Sequence, residues 1–339
     1  MLTARDYRPP RSLRSPHLQS VLGSSALRRR RGREALIAAG AVTTPHIIDA
    51  GEGVRLQGLH SVLPGSQPRA LALLLHGWEG SAESSYMQLT AARLLVRGFE
   101  VFRLNFRDHG DTHHLNEGLF HSNRIDEVVH AAKEVARRHA TRPMVIAGYS
   151  LGGNFALRVA LRAPTVALPL AHVAAVCPVL DPARTMDAME AGPQLYMWYF
   201  ERKWRESLAR KRKLFPSQHD FDDRVLGLRM RSLTQWMVER HTEFGTLDRY
   251  FEGYSIAGDR LASLHVPASI LMAADDPVIP LADFHALRLP PNADLEIAEH
   301  GGHCGFLENW HGDGFAERWV AERLDAAVRA TMAPLSATA

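Results

Sequence analysis

The chain has 339 residues, 46% of them hydrophobic and 23% charged, a balance that buries a large core unaided and excludes disorder and small stapled scaffolds. A net charge of +3 and only two cysteines, Cys177 and Cys304, argue against a nucleic-acid binder and against a disulfide-framed secreted domain. Residues 1–14 mix charge with proline and lack a signal peptide's apolar stretch, and no later run approaches a membrane span, so a cytoplasmic chain is expected.

Residues 1–43 read as a proline- and arginine-rich N-terminal extension. Its arginine cluster at 28–33 either meets an anionic partner or pairs with local carboxylates. Two strands are predicted at 44–50 and 54–62, then a wholly apolar run at 70–75 that ends abruptly at His76-Gly77, the pattern of a strand buried on both faces. A helix over 86–96, a strand over 99–104, a helix over 124–139, a strand over 144–147, a helix over 152–162 and a strand over 172–177 follow. This alternation predicts a mostly parallel central sheet with helices on both faces. It stops over 181–264, a helical, aromatic and charged segment read as an insertion. It resumes with strands at 268–272 and 295–298 and a final helix over 314–329, so that 44–180 and 265–339 form one core.

The strongest local signal is Gly148-Tyr149-Ser150-Leu151-Gly152, set between a buried strand and a helix. In that context the glycines remove the Cβ atoms that would collide in a tight turn, and the turn lifts the Ser150 hydroxyl above the sheet at a helix N-terminus. A serine hydroxyl needs a base within hydrogen-bond reach and a third group to orient that base. Asp275 and Asp276 end one downstream strand, and His300 and His303 follow another. All would emerge at strand C-termini on the edge where Ser150 lies. Two glycines before His303 give it the turn that swings an imidazole over the sheet, so His303 is preferred to His300.

These residues resemble the α/β-hydrolase superfamily and, within it, its YheT-like branch. The wider resemblance spans 71–306; the narrower one rests on Ser15-Pro16-His17-Leu18-Gln19-Ser20, Asn105-Phe106-Arg107, Gly148 to Asn154, and Gly302-His303-Cys304-Gly305-Phe306. The resemblance implies an α/β-hydrolase fold in which Ser150 is the nucleophile, His303 the general base and Asp276 the orienting acid. Asp276 is preferred to Asp275 because Asp276-Pro277-Val278-Ile279-Pro280 resembles the family's acid turn. Main-chain N–H groups of Trp78 and Leu151 are the expected oxyanion donors. Hydrolysis of carboxylic esters is implied, acting on a small acyl ester or a lipid, with no metal or organic cofactor.

Over 181–264 a helical lid is expected above Ser150. Its aromatic run at 195–200 either lines an acyl pocket or packs the lid down; on the first reading Tyr196 and Trp198, with Tyr149 beside the serine, contact substrate. Seven basic residues at 202–213 follow directly, a juxtaposition that predicts transient contact with an anionic membrane surface. The loop Asp108-His109-Gly110-Asp111-Thr112-His113-His114 departs from the family pattern. It either braces the pocket or holds a metal, but its spacing matches no zinc motif and serine chemistry needs no metal there. An acyltransferase on the same acyl-serine and a non-catalytic lipid-binding protein are the alternative functions.

Overall fold

A computed structural model describes residues 1–139 and 142–332; residues 140–141 and 333–339, assigned above to the core, lie outside the described residues. The chain opens with helices α1 (Pro16–Gly23) and α2 (Ala26–Ala38), then strands β1 (Val42–Asp49), β2 (Arg55–Val62) and β3 (Ala70–Leu75). Next come α3 (Ser85–Leu95), β4 (Phe99–Leu104), α4 (Ile125–Arg138), β5 (Met144–Tyr149), α5 (Leu151–Arg162) and β6 (Leu170–Val176). Five helices follow without a strand among the described residues: α6 (Pro182–Ala191), α7 (Gln194–Leu214), α8 (Asp223–Leu226), α9 (Met230–His241) and α10 (Leu247–Tyr254). The chain returns through β7 (Ala268–Ala273), α11 (Leu281–His285), β8 (Ala293–Ala298) and α12 (Phe315–Met332).

The eight strands form one sheet in the order β1-β2-β4-β3-β5-β6-β7-β8. Only β1–β2 and β2–β4 pair antiparallel; the other neighbours are parallel. Every residue of β3, β4, β5 and β7 is buried, because α3 and α12 pack together on one side of the sheet and α4 and α5 on the other. β4 buries two charges as well. Glu100 is held by His60, His139 and Arg142, while Arg103 donates to the Ala82 carbonyl at 2.9 Å.

The N-terminal segment is a structural layer rather than an appendage. Ser15 caps α1 and Pro16 stands in its first turn, while α2 lies against α3. Part of the arginine cluster pairs locally: Arg28, 2% exposed, meets Glu317 of α12 at 2.5 Å and donates to the Gly312 and Gly23 carbonyls, and Arg31 pairs with Asp313 at 2.9 Å.

The basic stretch of α7 is also largely paired within the molecule. Arg202 meets Glu206, Arg205 meets Glu201, Arg210 meets Asp111, and Arg212 meets Asp223. Lys211 is 1% exposed; it contacts Asp108 at 2.6 Å and also donates to the carbonyls of His113 and Asn116. His113 Nε2 adds a contact to Ser207 Oγ at 2.8 Å. The histidine-rich loop after β4 is therefore the anchor of α7.

Candidate active site

β5 ends in a strained turn whose glycines are sterically required. Ser150 has φ 54° and ψ −121°, the left-handed side of backbone space that costs an L-residue energy. A Cβ at Gly148 would stand 2.1 Å from the Gly152 carbonyl oxygen, and one at Gly152 would stand 2.3 Å from that of Leu75. Only glycine permits this packing of strand, turn and helix. Ser150 sits immediately before α5, so its side chain lies at the positive end of a 12-residue helix.

The two downstream strands deliver their side chains to the same place. His303 Nε2 lies 2.9 Å from Ser150 Oγ, and His303 Nδ1 lies 2.9 Å from Asp276 Oδ2. Asp276 accepts the Nδ1 proton, which leaves Nε2 of the neutral ring to accept from the serine hydroxyl. The carboxyl is itself immobilised, its Oδ1 accepting from the Val278 and Ile279 N–H groups at 2.8 and 3.0 Å. Asp275 does a different job: its Oδ1 accepts from Gly302 N at 2.9 Å, and His300 lies 3.5 Å from its Oδ2. Burial by itself would lower the His303 imidazole, but the Asp276 charge, with Cys304 and the Asp276 hydrogen bond adding to it, more than reverses this and raises it to about 9.

The loop after β3 approaches Ser150 from the other side. A Cβ on Gly77 would be 3.3 Å from Ser150 Cβ. His76, wholly buried, holds this loop: its Nε2 accepts from Phe106 N at 3.2 Å, so the ring proton is on Nδ1 and donates to the Gly77 carbonyl at 2.7 Å. Burial, then the neighbouring His109, push His76 well below its ordinary value and keep it neutral, as that pattern requires. Trp78 and Leu151 both line the cavity containing Ser150 and His303. Neither main-chain N–H is taken by a protein acceptor among the described residues.

That cavity is walled by apolar side chains: Trp78, Phe200 and Trp204 on one side, and Met186, Met189, Met230 and Met237 from α6 and α9. Trp78 stacks on Phe200 with ring centroids 5.4 Å apart. Behind Phe120 and Trp204 lies a smaller cavity lined by Glu79, Asp108, His109 and Lys211. Burial pushes the Glu79 carboxyl up to about 8, against the lowering effect of Lys203.

Three expected substrate contacts lie elsewhere. Tyr149 is fully buried beneath the turn, its hydroxyl 2.6 Å from Thr90 Oγ1 and its ring against Tyr86, so it is no part of the cavity wall. Tyr196 faces α1, with its hydroxyl 2.9 Å from His17 Nδ1. Trp198 is 55% exposed under the Arg202 guanidinium. The helical phase of α7 is the reason: it turns Phe200 and Trp204, four residues apart, inward and Trp198 outward.

One group of metal-type ligands stands together among the described residues, His60, Glu100 and His139. Both histidines already share Glu100 Oε2, at 2.9 and 2.8 Å, and Arg142 occupies Oε1. The group sits at the N-terminal end of β4, the sheet edge opposite Ser150, and is outside the reacting cavity.

The alpha/beta hydrolase family model matches residues 72–318. Among curated relatives, the putative esterase YheT of Escherichia coli (strain K12) is 26% identical over 258 residues, 71% of this chain and 72% of that protein. The putative esterase slr0264 of Synechocystis is 24% identical over 294 residues, 78% and 77% of the two chains. Human phospholipase ABHD3 is 23% identical over 251 residues, 71% of this chain but 59% of that protein. In fold, the chain is similar to the Pyrococcus furiosus esterase Pf2001, with a TM-score of 0.57 at 16% identity, covering 88% of this chain and 94% of that one. With the sheet order, the glycine-bracketed turn and a model match across most of its length, the chain belongs to the alpha/beta hydrolase family and to its YheT-like branch.

Proposed function

We propose that the protein is a serine hydrolase that cleaves carboxylic acyl esters through an acyl-enzyme on Ser150. The observation that carries this reading is the unbroken relay from Ser150 Oγ to His303 and on to Asp276, 2.9 Å at each step, at the wall of a largely apolar cavity. Ser150 Oγ attacks the ester carbonyl carbon as its proton passes to His303 Nε2. The oxyanion formed is met by the Trp78 N–H from the loop after β3 and the Leu151 N–H at the N-terminus of α5. Collapse breaks the bond to the alcohol oxygen, which leaves with the proton from His303. Water then repeats the sequence on the acyl-serine: its proton goes to His303, the carboxylic acid departs, and Ser150 regains its hydrogen.

The helices α6 to α10 act in this reading as the lid, covering the acyl chain with the methionines of α6 and α9 and the aromatic pair Phe200 and Trp204. Methionine side chains are unbranched and polarisable, so they fit acyl chains of varied shape.

The test is fluorophosphonate labelling together with a p-nitrophenyl ester series of increasing chain length, on the wild type and on Ser150→Ala. Labelling and turnover are expected in the wild type, with kcat reduced about 10⁶-fold in the variant. An unlabelled wild type, or turnover that survives Ser150→Ala, overturns the proposal. Adding competing alcohols distinguishes hydrolysis from acyl transfer by the product formed.

A further inference from the structure

The loop that carries His303 is held in a conformation its own sequence does not favour. Between β8 and the end of the turn, Gly301, Gly302, Cys304 and Phe306 all have positive φ, at 145°, 55°, 57° and 43°. Two of these four are not glycine. Such a backbone persists only where its surroundings over-determine it.

The surroundings come largely from α1, more than 280 residues away in sequence. A Cβ at Gly302 would lie 2.3 Å from the Pro16 carbonyl oxygen, and one at Gly305 would lie 2.4 Å from that of Gln19. Helix and loop thus meet backbone to backbone. Gln19, with no exposed surface, ties the far end of the loop: its Oε1 accepts from Leu307 N at 2.6 Å and its Nε2 donates to the carbonyls of Leu13 and Leu307 at 2.7 and 3.2 Å. Ser20 reaches the histidine itself, its Oγ accepting from His303 N at 2.8 Å.

The polarity of the Ser20 contact is determined. A hydroxyl carries one proton, and that of Ser20 goes to the Pro16 carbonyl one turn back, at 2.7 Å. Toward His303 only lone pairs remain, matching the one thing a main-chain N–H can offer. With Asp275 accepting from the preceding N–H, two successive main-chain donors, Gly302 and His303, are pinned by side chains from different parts of the chain.

We propose that Ser20 is a positioning residue for His303, a main-chain clamp supplied by α1 that holds the imidazole within reach of Ser150 and Asp276 at once. The inference rests on the hydrolase reading and adds the group that places its base. The imidazole must satisfy two partners at 2.9 Å from opposite sides of one ring, so a backbone shift that improves one contact loosens the other. Ser20 touches neither substrate nor reacting atoms; it acts through the position of His303.

The experiment compares the full-length wild type with Ser20→Ala and Ser20→Cys, the latter keeping side-chain size while offering a weak acceptor. Thermal melts establish that each variant is folded. Loss of the clamp is expected to lower kcat on the order of 10-fold in both, with KM unchanged, within the range that a displacement of up to about 1 Å costs. The low-field proton resonance of the His303–Asp276 hydrogen bond is expected to shift and broaden, and the acid limb of the pH profile to move. Wild-type kcat and an unaltered resonance in either folded variant overturn the clamp. If the wild type turns over no ester, the hydrolase reading fails, and the resonance still decides the clamp by itself.

Discussion

At the scale of single residues, the site is governed by charge placed where water is excluded. In the proposed mechanism only neutral His303 can take the Ser150 proton, and the Asp276 carboxylate holds that imidazole up at about 9 although burial works to lower it. A base whose pKa is raised keeps its proton to higher pH, so kcat/KM is expected to rise with pH toward about 9. In Asp276→Asn the lowering effect of burial remains and the raising charge is gone, so the acid limb shifts to lower pH. The same variant also loses the tautomer Ser150 requires, and its kcat is expected to fall about 10⁴-fold. A pH–rate series on both proteins checks both effects. The backbone of the turn is equally constrained. Gly152→Ala places a methyl group 2.3 Å from a main-chain oxygen that cannot move aside, and a loss of at least about 3 kcal/mol in urea unfolding is expected.

Part of this was legible in the residues themselves. Gly148 and Ser150 carry their meaning locally, since the steric demand on Gly148 comes from Gly152 four positions on, whereas that on Gly152 comes from the Leu75 carbonyl at the end of β3. The separation of Asp276 from Asp275 is not local. It depends on which carboxyl faces the imidazole and which the Gly302 N–H, a matter of a few ångströms in the fold. Tyr149 shows the same limit: its place beside Ser150 in sequence says nothing of the pleat, which turns its ring under the sheet toward Tyr86 and Thr90.

Among the elements, legibility followed burial. The bounds of β3 and β4 coincide with their predicted runs because wholly apolar or fully sandwiched strands end where the apolar character ends. α1 and α2 went unread, and for a physical reason. α2 carries arginines on several sides, and what makes Arg28 a buried residue is Glu317 at the far end of the chain. The α7 anchor has the same character. Lys211→Met leaves Asp108 buried without its cation, and a destabilisation of about 3–5 kcal/mol is expected. Combining it with Asp108→Asn should recover part of that loss, because both charges of the pair are then gone. Denaturant titration of the two variants measures the difference.

For the molecule as a whole, the proposed function makes the segment between β6 and β7 the part that selects which esters reach Ser150. One face of α9, bearing Met230, Thr234 and Met237 at helical spacing, lines the cavity. Met237→Trp is expected to reduce kcat/KM for long-chain p-nitrophenyl esters by about 10-fold or more through overpacking, leaving the acetyl ester nearly unaffected. A chain-length series on the variant checks this. The ion pairs of α7 also bear on membrane contact: Arg202, Arg205, Arg210, Lys211 and Arg212 already hold carboxylates of the protein. Their attraction to anionic lipid is correspondingly reduced, and flotation with anionic vesicles is expected to depend only weakly on lipid charge. No helix of the described residues is long and apolar enough to cross a membrane.

By itself the sequence determined the alternating strands and helices and the strained serine turn, because each follows from local sterics or from short apolar periods, while the order of serine, acid and histidine came from the resemblance to the α/β-hydrolase superfamily. The family-like turn at 276–280 already favoured Asp276 over Asp275, whereas the tertiary structure alone decided which aromatics between β6 and β7 line the cavity and that residues 15–20 pack against the histidine loop. Those outcomes depend on contacts between segments as much as 288 residues apart, and no local pattern encodes the distance between them.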